Sequence, residues 1–89
     1  MDRWEKGMLA KSLAGHDKGK VYVIINIEET MVYLADGENR TLDKLKKKKK
    51  KHVQLIRQNN RIDDADDASI RRILNNYKKT ETIEWMEES

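Results

Sequence analysis

The sequence predicts a mainly β protein: a small barrel of about five short strands followed by one C-terminal α-helix. Three observations predict it. Runs of β-favouring residues recur roughly every ten positions over residues 7–57, with turn signals and no helical pattern between them. At 89 residues the chain supplies one domain with one modest core. After Arg61 the pattern changes, and apolar residues begin to recur at helical spacing.

Each element follows in order. Residues 7–13 (GMLAKSL) read as a first, weakly patterned strand. In the second, Val21, Val23, Ile25 and Ile27 line one face and Tyr22, Ile24 and Asn26 the other. Glu28, Glu29 and Thr30 form a turn into a third strand, 31–35, where Val32 and Leu34 face the same way. Asp36-Gly37 is a hairpin signal that sends the chain back through a fourth strand, 39–42. The segment HVQLIR, 52–57, closes the barrel as a fifth, with Val53 and Leu55 alternating with polar neighbours.

Asp63, Asp64, Asp66 and Asp67 then precede Ile70, Ile73, Leu74 and Tyr77, spaced i, i+3, i+4 and i+7, and Lys78 and Lys79 close the pattern. That predicts an amphipathic helix over 68–79, with Asp66 or Asp67 capping its first amides and its apolar face covering an open end of the barrel or a partner. The acidic stretch lacks the glycine and distal glutamate of a calcium loop, so capping explains it better. The chain thus divides into a barrel, 1–58, that includes a basic segment at 44–52; a linker and helix, 59–79; and an acidic tail, 80–89. In the tail Ile83 and Trp85 either dock or belong to a mobile end.

Composition narrows the functional classes. Charged residues make up 39% and apolar ones 37%, so part of the chain is solvated. There is no cysteine, which removes disulfides, thiolate metal sites and a cysteine nucleophile. His16 and His52 are the only histidines, too few for a histidine zinc site. No nucleophile and base pair, metal set or phosphate-cradling motif appears, so the sequence predicts neither an enzyme nor a cofactor. Nor is there an apolar run of membrane length or a signal core, and the expectation is a cytoplasmic protein without a membrane partner, monomeric when free.

Charge is unevenly spread. Residues 1–61 hold 15 Lys and Arg against 8 Asp and Glu, whereas residues 62–89 hold 4 against 8. A basic body joined to an acidic end suits a polyanion partner for the body. Two segments concentrate the cations. In AGHDKGK, Gly15 and Gly19 permit positive φ or close backbone approach, and His16, Lys18 and Lys20 stand where a phosphate reaches them, although an ordinary charged hairpin loop has the same composition. In the lysine run, Lys46, Lys47, Lys48, Lys49, Lys50 and Lys51, followed by His52, mutual repulsion keeps the segment extended and solvated until a polyanion binds. A solubilising loop or a nuclear localisation signal reads alike. Arg40 either forks onto a phosphate or guanine or pairs with Asp36 or Glu38. Tyr22 and Tyr33 either stack bases or pack.

On KSLAGHDKGK, LADGENR and KKKKKKHVQ, residues 7–55 resemble the KOW-containing RNA-binding proteins of Gram-positive bacteria, which are related to a large-subunit ribosomal protein family of archaea and eukaryotes. The resemblance implies an SH3-like barrel that binds ribosomal RNA through the KOW loop and the following basic segment, with ribosomal proteins as further neighbours. His16 stands where relatives commonly carry arginine, which weakens a phosphate fork, and Leu45 where they tend to have proline. The expectation is therefore RNA binding through Gly15, His16, Lys18, Gly19, Lys20, Arg40, Lys46 to Lys51 and His52, with a protein-interaction module as the alternative.

Overall fold

The computed structural model describes the backbone of residues 3–88 and the side chains of residues 3–80. It is mainly β. Five antiparallel strands, β1 (Leu9–Ser12), β2 (Val21–Ile27), β3 (Met31–Ala35), β4 (Lys46–Lys49) and β5 (Val53–Ile56), form one open sheet in the order β4-β3-β2-β1-β5, and a C-terminal helix, α1 (Asp67–Glu88), follows. One 3-10 turn, Lys50–His52, joins β4 to β5.

That connection dictates the shape of the sheet. β4 and β5 are its two edges, and in a flat sheet the edges would lie roughly 19 Å apart, four strand spacings. The four steps from Lys49 to Val53 span at most roughly 14 Å. The sheet is therefore curled, with an inner and an outer face.

Both faces are buried on β2, which explains why its sequence is almost continuously apolar rather than alternating. The inner face gathers Met8, Ala10, Tyr22, Ile24, Val32, Leu34 and Val53. On the outer face Leu9, Val23 and Ala35 meet Ile70 and Leu74 of α1, with Ile73 and Tyr77 beside them. The helix thus covers the outer face of the sheet and not an open end of a barrel. Its first turn is capped by Asp66, whose Oδ1 accepts the Ser69 amide at 2.8 Å and the Ser69 hydroxyl at 2.8 Å.

The alternation expected along the second strand holds only to Ile25. Between Ile24 and Asn26 the register against β3 shifts, so that Ile24 opposes Leu34 and Asn26 opposes Tyr33. The bulge turns Ile27 to the inner cluster and leaves Val21, Val23 and Ile25 on the helix side.

The fourth strand lies at Lys46–Lys49 rather than at 39–42. Asp36 is the cause: its Oδ1 accepts the amides of Glu38 at 2.9 Å and Arg40 at 2.8 Å, which coils residues 36–40 into a compact loop. Gly37 sits in that loop at φ 80°, and a Cβ there would meet the Asp67 carbonyl oxygen at 2.4 Å. The Leu42 amide then bonds Asp67 Oδ1 at 2.8 Å instead of a neighbouring strand. Leu42 and Leu45 are drawn into the outer cluster, and the next residues, all lysines, supply the strand.

α1 is longer than the twelve-residue pattern suggests, running 22 residues, so Lys78 and Lys79 fall within it and not at its end. The expectations for Ile83 and Trp85 concern side chains outside the described residues. Among the described residues, no helix is long and apolar enough to cross a membrane.

Candidate nucleic-acid interface

The loop between β1 and β2 is held from below. The Ser12 amide donates to the Lys20 carbonyl at 2.8 Å and the Gly19 amide to the Ser12 carbonyl at 2.8 Å, closing the loop's base. Gly15 and Gly19 have φ of 86° and 92°, conformations that only glycine adopts without strain, so their role in shaping the loop backbone follows from the structure directly.

Asp17 fixes the rest, and sequence reasoning did not single it out. Its Oδ1 accepts the Ser12 hydroxyl at 2.8 Å and the Lys48 ammonium at 2.9 Å, while its Oδ2 accepts the Tyr22 hydroxyl at 2.7 Å and pairs with the Lys46 ammonium at 3.2 Å. Lys48 also donates to the Ala14 carbonyl at 2.8 Å. Burial by itself raises the Asp17 carboxyl, but the donors Tyr22, Lys48, Ser12 and Lys46 outweigh it and hold the group far below the usual carboxylate range. Tyr22 is pushed the other way: burial, and then the bonded carboxylate, raise its phenol well above its ordinary value. A lone carboxylate between His16 and Lys18 of the loop was the visible signal, but nothing in the spacing marked its partners.

Pairing with β3 decides what the lysine run does. Opposite Leu34 and Val32, Lys46 and Lys48 point to the inner face, where their side chains are 26% and 12% exposed. Lys47 and Lys49, opposite Tyr33 and Met31, point outward and are exposed. The run is therefore not a solvated loop: β3 offers an edge to pair with, and Asp17 offsets the charge of the two inward ammoniums. The sites predicted at Lys46 and Lys48 are occupied by this internal contact.

The other predicted residues divide likewise. The Lys20 ammonium is bound to Asp36 and lies 5.3 Å from the centroid of the Tyr22 ring. Burial raises the Asp36 carboxyl, yet Lys20 and the amides of Arg40 and Glu38 draw it below the usual range. Lys50 donates to the Glu29 carbonyl at 2.9 Å and lies 5.5 Å from the Trp4 ring centroid. His16, Lys18, Arg40, Lys51 and His52 are exposed. Arg40 meets Asp36 through its backbone amide at 2.8 Å. Tyr22 is 2% exposed with its hydroxyl on Asp17, so base stacking there is ruled out, whereas Tyr33 keeps a partly exposed ring on the outer face.

Loop and lysine strand are one unit. Lys48 ties them on the inner side, and the Leu13 amide bonds the His52 carbonyl at 2.9 Å at the end of the 3-10 turn. Compared with known proteins, the chain matches no family model and no curated relative.

Proposed function

We propose that the protein binds RNA, ribosomal RNA first of all, through phosphate contacts from Lys18, Lys47, Lys49 and Lys51, with His16, Arg40 and His52 at the margins. The observation that carries this reading is the docking of the glycine-shaped loop onto the lysine strand. It brings the loop that carries Lys18 against the strand that carries Lys47 and Lys49, while the internal carboxylate Asp17 uses up Lys46 and Lys48. An SH3-like, KOW-type barrel belongs to the same proposal. It is supported by the curl of the sheet, the 3-10 link from β4 to β5 and the sequence resemblance over residues 7–55.

Four phosphate contacts on single-stranded RNA imply a slope of log affinity against log salt near −3. Filter binding of ribosomal RNA at two salt concentrations tests this, with the four lysines changed together to glutamine as the control. Loss of binding with added salt and with the substitutions supports the reading. Salt-insensitive binding, or none, overturns it and favours a protein partner for the same surface. Cosedimentation with ribosomal subunits tests the choice of RNA.

A further inference from the structure

α1 covers only part of the outer face of the sheet. Ala35, Val23 and Leu9 lie beneath it, but Met31 and Tyr33, on the same face of β3, belong to neither apolar cluster. They are flanked by the outward lysines of β4: Tyr33 opposes Lys47 and Met31 opposes Lys49. On the other side Tyr33 opposes Asn26 of β2, which the bulge at Ile25 places outward and exposed.

We propose that Tyr33 is a stacking platform for an unpaired nucleobase, with Lys47 and Lys49 holding the adjoining phosphates. This rests on the RNA reading and sharpens it: the ligand of this face is single-stranded RNA. The ring is held in advance, because the Tyr33 hydroxyl donates to Glu28 Oε1 at 2.9 Å, so little side-chain freedom is lost on binding. The Lys47 ammonium lies 5.6 Å from the ring centroid. A nucleotide whose base takes the π face leaves its phosphate within reach of that exposed, flexible ammonium, exchanging a solvent-exposed cation–π contact for a charge-assisted one. Bases inside a duplex offer no free face, so the platform discriminates against paired RNA. Among the described residues the other large rings do not compete, and Tyr77 packs against the outer cluster. Tyr22 is buried against Asp17, and Trp4 packs on the inner cluster with Lys50 near its ring. Glu28, at the hydroxyl end of Tyr33, repels phosphate there and directs the strand toward the lysines.

The test is fluorescence anisotropy with a labelled oligouridine strand and an RNA duplex of the same length, using the full chain. Tyr33→Ala and Tyr33→Leu should each weaken single-strand binding roughly 5- to 100-fold while leaving the salt slope unchanged, and Tyr33→Phe should stay within about 2-fold of the parent. Duplex binding should be the same for all four proteins. The leucine variant keeps an apolar strand residue without a π face, so it decides the matter if the alanine variant unfolds. Salt-dependent binding that ignores Tyr33 overturns the platform and leaves the RNA reading standing. Equal losses on single strand and duplex also overturn it. If the parent binds neither RNA, both readings fall together.

Discussion

The two faces of β4 carry the same residue in opposite circumstances. On the inner face Lys46 and Lys48 bond a carboxylate that also holds Ser12 and Tyr22; on the outer face Lys47 and Lys49 stand in solvent beside Tyr33 and Met31. Identical side chains one position apart thus serve the fold in one case and remain available to a ligand in the other. What separates them is the two-residue period of a strand together with a single aspartate placed to meet one set. Edge position adds a further constraint, since lysines on an exposed edge discourage pairing with another sheet. The outer lysines satisfy that requirement whether or not RNA is bound, which is why stability and binding have to be measured separately.

The largest effect is expected at the carboxylate. Asp17→Ala leaves Lys46 and Lys48 inward without their counter-charge and frees the Tyr22 and Ser12 hydroxyls, and should cost about 2 kcal/mol in urea denaturation, between the values for exposed and buried pairs. Next is the inner pair itself. Lys46→Gln with Lys48→Gln removes the ionic partners but leaves Asp17 the donors Ser12 and Tyr22, so about 1 kcal/mol is expected, with the salt slope of RNA binding unchanged.

Acid should reproduce the first of these effects gradually. Asp17 and Asp36 both have carboxyls held below the ordinary value of 3.8 in the folded protein. Their contribution is therefore complete above that value and is lost as the pH falls through it toward the depressed folded values. Thermal melts over this acidic range should show a steep fall in Tm for the parent and a shallower one for Asp17→Ala, which has already lost the group. A parallel fall in both would contradict the role given to Asp17.

Much of the architecture was legible in the sequence, and the failures have physical causes. β2 and β3 were marked by β-branched residues between turn signals, and the helix by Ile70, Ile73, Leu74 and Tyr77 behind an aspartate cap. The fourth strand was misplaced because Asp36-Gly37 reads as a two-residue hairpin, whereas the Asp36 side chain captures two amides and turns the chain toward Asp67. The true strand was hidden because a homopolymer has no alternation: six lysines in a row carry no signal of which are inward. The loop and the basic run were recognised as candidates, and the structure brings them together. Their division into structural and available cations was not legible, because it depends on Asp17 reaching across more than thirty residues of chain to Lys48.

The outer pair gives the smallest effect on stability and the most direct test of the account. Lys47→Gln with Lys49→Gln should leave the urea midpoint within about 0.5 kcal/mol of the parent, as exposed residues do. The same double variant should flatten the salt slope of single-stranded RNA binding by about 1.4, two contacts at 0.7 each. Measured beside the inner-pair variant, that slope carries the central claim. A flattened slope for Lys47 and Lys49 with an unchanged one for Lys46 and Lys48 is the predicted result. Equal slopes for both variants, or a loss confined to the inner pair, would contradict it.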